Sequence, residues 1–163
     1  MVRAAAARDR DACTLGTADV ERVIAIDRAH TGLSRRRFFE KRFAAAAAHP
    51  QDFIPIGIRR GGALAGYAFV RILRGEFGRA QAVAVLDAVG VDRQSRERGV
   101  GRALMNELIA ALDRMGVRSL QSQAAWNNHD LVRFFAASGF ALAPRLVLER
   151  SVAEPLHEAS EEV

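Results

Sequence analysis

The spacing of apolar side chains divides the first third of the chain into one strand and two helices. The segment Asp11 to Leu15 predicts a short first strand. Thr17 or Asp19 can cap the helix that follows, which we expect to end near Thr31-Gly32. A second helix, basic and rich in alanine, is predicted over Arg35 to Ala48. The chain therefore begins in the order strand, helix, helix.

The middle of the chain has the period-two pattern of strands. Phe53 to Ile58 begins this β-rich stretch, and Gly61-Gly62 separates it from the next strand in the manner of a tight hairpin turn. Ala63 to Leu73 is the returning strand, and Arg74 to Gly78 is a second turn. Ala80 to Val91 completes the pattern. We expect these three strands to form an antiparallel meander.

Helical spacing returns in the last third of the chain. The apolar positions from Val100 onward lie along one helix face, and Gly116 ends that helix. Val117 to Ala125 predicts another strand. A further helix starts at Asn127 or Asn128 and closes at Gly139. The last predicted strand or strands cover Phe140 to Leu142 and Leu146 to Val152.

Length and composition indicate one globular domain that needs neither a disulfide framework nor a zinc site. The chain has 163 residues, of which 50% are apolar and 26% charged, so we expect a single domain over 1–163 with flexible ends at 1–10 and 154–163. Cys13 is the sole cysteine, which favours a reducing cytoplasm. The apolar run Phe43 to Ala48 is far shorter than the roughly 20 residues needed to cross a bilayer.

The positive charge of the chain raises the question of a nucleic-acid partner. The formal net charge is +5, and clustered basic residues can neutralise phosphates. Here, however, every basic residue except Lys41 is an arginine, and the arginines are scattered among acidic residues. Nucleic acid is therefore not expected as the main partner, and the excess charge can equally serve a phosphate-rich cofactor.

The segment Val89 to Leu104 combines a strand end, a polar loop and a helix start in a way that suits a phosphate ligand. Glycine permits close approach of the backbone, and the first amides of a helix have no intrahelical partner. Arg96, Arg98 and Arg102 add charge-assisted donors nearby. The spacing excludes a P-loop and does not fit a dinucleotide fingerprint. The alternative is a glycine-containing turn that caps an amphipathic helix.

Two motifs in the second half of the chain resemble signatures of the GNAT acetyltransferases. Arg96-x-x-Gly99-x-Gly101 is similar to the family's Gln/Arg-x-x-Gly-x-Gly/Ala motif, and a second signature follows at Asn128-x-x-Leu131-x-x-Phe134-Phe135-x-x-x-Gly139-Phe140. The resemblance implies an α/β (α+β) fold. Its central sheet would be mixed and mostly antiparallel, with six or seven strands and about four flanking helices. Acetyl-CoA would bind where two parallel strands splay apart, here near Val91 and Ala125.

The resemblance also assigns cofactor roles residue by residue. The amides from Arg98 to Ala103 would hold the pyrophosphate, Val89 and Val91 would contact the pantetheine arm and acetyl group, and Asn128 would contact the arm from the other side. An N-cap role for Asn128 is compatible with this contact. The implied cofactor-binding residues are Val89, Val91, Arg96, Arg98, Gly99, Val100, Gly101, Arg102, Ala103, Asn128 and Phe135.

Acetyl transfer to an amine needs a base for the amine and an acid for the departing thiolate. Family members often use a tyrosine where this chain has Phe135, so a bound water is a candidate acid here. Asp87 and Glu76 are the candidate bases, and we place Asp87 on the strand face of Val85 and Val89. Other readings are that both carboxylates are solvated or salt-bridged and that His129 is the base. Tyr67, the sole tyrosine, is expected in the core or on the sheet surface.

The acceptor site is expected beside the first two helices. Its candidate residues are Asp27, His30, Arg35, Phe38, Phe39 and Trp126. The resulting hypothesis is an N-acetyltransferase that moves acetyl from acetyl-CoA to a primary amine of a small molecule or a protein. The alternative is a coenzyme A-binding regulatory module without turnover, which the phenylalanine at the tyrosine position motivates. A homodimer is a candidate assembly by resemblance.

Overall fold

A five-stranded sheet forms the centre of the part of the chain that this computed structural model describes, residues 11–96 and 98–152. Its strands lie side by side in chain order, antiparallel except for the last pair, which is parallel. The strands are β1 (Asp11–Thr14), β2 (Phe53–Arg60), β3 (Ala63–Leu73), β4 (Val83–Val91) and β5 (Leu120–Gln121). The meander β2–β3–β4 is therefore confirmed, and the hairpin turn at Gly61-Gly62 has positive φ at both glycines.

Four helices cover the two faces of this sheet. They are α1 (Val20–Thr31), α2 (Arg36–Ala48), α3 (Val100–Arg114) and α4 (His129–Ala137). Alternation along β3 shows how the faces differ: Tyr67 and Phe69 pack in the cluster with α1 and α2, whereas Ala68 and Val70 pack in the cluster with α3. Period-two strands flanked by helices with one apolar stripe thus produce two separate apolar layers.

The prediction of six or seven strands is wrong for the described chain. Neither Phe140–Leu142 nor Leu146–Val152 forms a strand, and the side chains of Leu142 and Leu148 are exposed. The strand predicted over 117–125 is reduced to β5, which pairs with β4 at only two positions. Because β5 is so short, it offers no continuous edge on which a following strand could add.

Two further expectations concern the ends of the chain and its surroundings. The predicted flexible ends, 1–10 and 154–163, lie outside the described residues. Every helix among residues 11–96 and 98–152 falls short of the length and apolar character needed to cross a bilayer, the longest being α3 with 15 residues.

Candidate active site

The parallel strands β4 and β5 pair at only two positions. Their register joins Ala84 to Leu120 and Val85 to Gln121, and the Ser122 hydroxyl then donates to the Leu86 carbonyl at 3.0 Å. β4 continues to Val91, paired with β3 on its other edge. The edge of β4 that faces β5 therefore has main-chain groups without a strand partner in the described structure. The parallel pairing of these strands agrees with the fold that the resemblance implied, and the binding of a cofactor between them stays a prediction.

The amino terminus of α3 lies directly beyond the end of β4. Gly99 is its N-cap, with φ 74°, a left-handed conformation that glycine adopts readily. The amide of Ala103 donates to the Gly99 carbonyl at 3.0 Å and is therefore already paired. The amides of Val100, Gly101 and Arg102 precede this first intrahelical bond, so helix geometry leaves them without an acceptor inside the helix. They form the anion-binding end of the α3 dipole.

The three predicted cations of this loop are not equivalent. The side chains of Arg98 and Arg102 are exposed near the start of α3, whereas the Arg96 guanidinium lies 2.8 Å from Nδ1 of His30 on α1. Val100 is buried in the apolar cluster, so only its main chain is available to a ligand. Glu97, between these residues, lies outside the described part of the chain.

The helix that follows β5 packs its aromatic residues against α3. A Cβ atom on Gly101 would stand 2.9 Å from Cε2 of Phe134, so any larger residue there would have to displace the Phe134 ring of α4. Oδ1 of Asn128 accepts from the Leu131 amide at 3.2 Å, which confirms the N-cap role. The Phe135 ring is 9% exposed and lies 4.8 Å from the Phe140 ring, centroid to centroid. Both predicted cofactor contacts on α4 thus also hold the fold together.

A β-bulge in β4 changes the environment of the first candidate base. Phe69 pairs with Ala88 and Val70 with Leu86, so Asp87 is the extra residue between them. Asp87 and Ala88 consequently both face the α1–α2 side, while Val89 packs against the α3 cluster. The expectation that Asp87 shares a face with Val89 is wrong for this reason.

Two arginines form ion pairs with the Asp87 carboxylate. Its side chain is 8% exposed, and its two oxygens accept from Arg71 Nε at 2.6 Å and Nη2 at 3.0 Å. Arg42 of α2 forms a further ion pair, with Nε 3.0 Å from the same carboxylate. This arrangement ties α2 to the sheet. The salt-bridged reading of Asp87 is the one the structure has, and a role as base stays a prediction.

Glu76 lies away from the cofactor loop. It belongs to the exposed turn Glu76–Gly78, which enters β4 at the end opposite Val91. The pKa of Arg71 is raised, mainly by the hydrogen bond to Asp87. The negative charges of Asp87 and Glu76 act in the same direction. The structure therefore does not bring Glu76 to the opening between β4 and β5.

The predicted acceptor residues on α1 and α2 form a buried polar cluster rather than an open pocket. Asp27 is 3% exposed. Its carboxylate accepts hydrogen bonds from Nε of Arg35 at 2.9 Å and from Nη2 of the same arginine. It also accepts from the Tyr67 hydroxyl at 2.9 Å. The Arg35 guanidinium also stands over the Phe38 and Phe39 rings, 5.0 and 5.3 Å from their centroids. Phe39 is fully buried. These residues fix α1, α2 and β3 to one another.

Tyr67 is in the core, as expected from the sequence. Its side chain is fully buried, and burial, followed by the adjacent Asp27 carboxylate, raises the pKa of its hydroxyl far above the usual value. Its ring also packs against the backbone of β4, where a Cβ on Gly90 would stand 2.6 Å from Cε1 of Tyr67. The Tyr67 ring therefore fills the space next to the end of β4 on the α1–α2 side of the sheet.

Two open features surround the site. Trp126 is 86% exposed and follows β5, at the end of the sheet where the α3 amides lie. A groove of about 520 Å³ runs between α1 and the start of α2. Its lining consists of Glu21, Ile24, Ala25, Arg28, Ala29, Ser34 and Arg36. Sequence reasoning missed this groove, the bulge at Asp87 and the Ser122 bridge, since no local motif marks them.

The amino-acid sequence of the chain matches the model of one known protein family. The model of the acetyltransferase (GNAT) family matches residues 20–140, most of the chain. The chain belongs to the GNAT acetyltransferase family. No curated protein sequence matches it significantly.

Solved structures of acetyltransferases share the fold at low sequence identity. Aminoglycoside acetyltransferase AAC(6')-Iy, in complex with the bisubstrate analogue CoA-S-monomethyl-acetylneamine, is 18% identical with a TM-score of 0.68, covering 87% of this chain and 97% of that one. The aminoglycoside acetyltransferase meta-AAC0020, from an uncultured soil metagenomic sample and in complex with sisomicin, is 12% identical with a TM-score of 0.71, covering 90% and 97%.

A third structural neighbour is named for a different kind of acceptor. The ribosomal-protein-alanine N-acetyltransferase from Brucella melitensis biovar Abortus 2308 is 16% identical with a TM-score of 0.69, covering 87% of this chain and 99% of that one. At these identities the likeness establishes the fold, and the acceptor of this chain is a separate question.

Proposed function

We propose that this protein transfers the acetyl group of acetyl-CoA to a primary amine. The observation that carries the proposal is the position of the unpaired α3 amides, Val100 to Arg102, at the open end of the β4–β5 pair in a chain of the GNAT family. Helix amides and dipole suit the pyrophosphate, and the unpaired edge of β4 suits the amide groups of the pantetheine arm. A neighbour of this fold was solved with a coenzyme A analogue.

Each part of the cofactor has a place in this arrangement. Gly99 to Arg102 would hold the pyrophosphate, with the exposed Arg98 and Arg102 as charge-assisted donors. Val89 and Val91 would contact the pantetheine arm, on the part of β4 that follows the Ser122 hydrogen bond to Leu86. Asn128 and Phe135 border it from α4. Ala103 contributes through the fold, since its amide already bonds to Gly99.

The chemistry consists of attack by a neutral amine on the thioester carbonyl and departure of the coenzyme A thiolate. The carbon–sulfur bond breaks as the carbon–nitrogen bond forms, and main-chain amides of β4 polarise the carbonyl oxygen. The amine would lose a proton as it becomes an amide and the thiolate would gain one, and water would carry both protons, because Phe135 has no proton to give and Tyr67 is fully buried with its hydroxyl on Asp27. Holding amine and thioester together supplies much of the rate enhancement.

An acceptor that binds in the groove between α1 and α2 would meet carboxylates that are already paired with arginines. Glu21, at the groove, is held by the Arg36 guanidinium at 2.5 and 2.8 Å, and this hydrogen bond lowers the pKa of the Glu21 carboxyl. Asp27 is likewise held by Arg35. Each of these α1 carboxylates already has a guanidinium partner, and Arg28 adds a further positive charge to the groove. We therefore favour a neutral or anionic molecule, or a protein amino terminus, over an aminoglycoside.

Calorimetric titration with acetyl-CoA and a thiol-release assay test the proposal. The expected result is binding below millimolar concentration, followed by thiol release with at least one amine from a panel containing an aminoglycoside, a neutral monoamine, an amino acid and a peptide with an amino-terminal alanine. Folded protein that fails to bind acetyl-CoA would contradict the proposal. Binding without thiol release for any amine would instead support the regulatory coenzyme A-binding module.

A further inference from the structure

His30 joins the two ends of the cofactor loop. Its Nε2 lies 2.6 Å from the Val91 carbonyl, at the last residue of β4, and its Nδ1 lies 2.8 Å from Nη2 of Arg96. A carbonyl only accepts and a guanidinium only donates, so one tautomer satisfies both contacts. That tautomer is the neutral imidazole with its hydrogen on Nε2. The ring thus spans the loop between the end of β4 and the first residue of the Arg96-x-x-Gly99-x-Gly101 motif.

Other contacts fasten the same loop to α1. The Arg93 guanidinium donates to the Ala29 carbonyl, and Nη2 of Arg22 forms an ion pair with Asp92 at 2.8 Å. The Arg22 side chain is 44% exposed, and His30 and Arg96 are exposed as well, so any one of these contacts alone contributes little. His30 differs from these residues because it contacts both ends of the loop. At one end its partner is the main-chain carbonyl of Val91, and at the other it is the side chain of Arg96.

We propose that His30 is a positioning residue for cofactor binding. By fixing the Val91 carbonyl and the Arg96 side chain to α1, it holds the loop so that Gly99 and the amides after it face the pyrophosphate. Arg96 then acts through the loop rather than on phosphate. This inference rests on the proposed function, because it assigns the means by which that same site is kept ready.

The test compares two substitutions at His30 with a control substitution at His49. His30→Ala removes both hydrogen bonds, whereas His30→Gln places a carboxamide near the position of Nε2 and keeps a donor for the Val91 carbonyl. His49→Gln is the control, since His49 is exposed at the end of α2, away from the loop. We expect acetyl-CoA to bind His30→Ala about fivefold to tenfold more weakly, and His30→Gln and His49→Gln within about twofold of the unaltered protein.

Rescue by glutamine separates positioning from a general structural effect. Equal affinity of His30→Ala and the unaltered protein overturns the inference, as does a His30→Gln variant as weak as His30→Ala. Melting temperatures of the variants establish that each one is folded.

Hydrogen exchange tests the tether without any cofactor. In the free protein, the hydrogen-bonded loop amides of Asp92, Ser95 and Arg96 should exchange faster in His30→Ala than in His30→Gln or in the unaltered protein. Unchanged exchange in His30→Ala overturns the inference even where acetyl-CoA binds. Faster exchange in a protein that does not bind acetyl-CoA supports the tether and contradicts the proposed function, so the two failures are distinguishable.

Discussion

The two faces of the sheet use polar groups in opposite ways. On the α1–α2 face, Asp27 and Asp87 are buried carboxylates, and each is held by arginine side chains. On the α3–α4 face the layer is apolar, and the polar groups at its edge are main-chain donors that precede the first helical hydrogen bond. Groups that are paired within the chain stabilise the fold, and groups left unpaired at the edge of the opening are those available to a ligand.

This difference changes how the acidic residues should be interpreted. A carboxylate on the strand leading to the cofactor loop is a natural candidate for a base when only the sequence is known. In the structure, the bulge in β4 turns Asp87 toward Arg42 and Arg71, which makes it part of the support between α2 and the sheet. Substitutions on the α1–α2 face should therefore change stability, and substitutions at the start of α3 should change cofactor binding.

The largest effect is expected from Asp27→Ala. The substitution leaves Arg35 and the Tyr67 hydroxyl without their shared buried acceptor, so unfolding free energy should fall by about 3–5 kcal/mol. Thermal denaturation should show a decrease on the order of 10 °C or more. Asp113→Ala is the matched control, because Asp113 pairs with Arg118 on the exposed surface and should change stability by less than about 0.5 kcal/mol. Equal stability of the two variants would contradict the assigned role of the cluster.

Asp87→Asn distinguishes a base from a support. If Asp87 is a support, the substitution should lower the unfolding free energy by about 1–3 kcal/mol, since it weakens the charge-assisted hydrogen bonds from Arg71 and removes the ion pair with Arg42. Acetyl-CoA affinity should stay within about twofold. Once an acceptor is found, thiol release measures the alternative, because loss of a general base reduces turnover by roughly 10²–10⁴-fold. A loss of that size with unchanged stability would restore Asp87 as the base.

Arg98→Ala with Arg102→Ala addresses the other region. The double substitution should weaken acetyl-CoA binding about tenfold, reduce its sensitivity to salt and leave the melting temperature unchanged, because both side chains are exposed. The control is Arg114→Ala, on the last turn of the same helix. Calorimetric titration at two salt concentrations measures the effect. Similar losses in the double variant and the control would show that the binding site is not at the start of α3.

Tyr67→Phe has the smallest expected effect and a defined pH dependence. At neutral pH, loss of the hydrogen bond to Asp27 should cost about 1 kcal/mol. Burial raises the pKa of Tyr67 in the folded protein, so the unfolded chain releases the phenolic proton first, and stability falls as pH rises above about 10. Tyr67→Phe removes this contribution to the alkaline decrease. Because Tyr67 is the sole tyrosine, phenolate absorbance should appear only with unfolding, and its appearance in folded protein would contradict the burial of the hydroxyl.

Local patterns were sufficient to predict most of the framework. The order of elements from β1 to α4, the meander and the cap at Asn128 all follow from spacing and turn chemistry. The last strands were not predictable in the same way, because apolar spacing near Leu146 and Leu148 is compatible with a strand but says nothing about an edge to receive it. Strand formation there depends on β5, which pairs at two positions only.

Pairing between distant side chains was the other limit. The sequence shows that arginine is abundant, but it cannot show that Arg35 holds Asp27 or that Arg96 is directed at His30. These partners meet through the packing of α1 against α2 and against the loop after β4. The bulge that reorients Asp87 likewise depends on the register between β3 and β4.

Amide-resolved NMR during titration with coenzyme A tests the central claim most directly. The account predicts that the largest shifts, and protection from exchange, occur at the amides of Val100, Gly101 and Arg102, and that pantetheine, which lacks the diphosphate, does not reproduce them. Shifts centred on the groove between α1 and α2, with the start of α3 unaffected, would contradict the account.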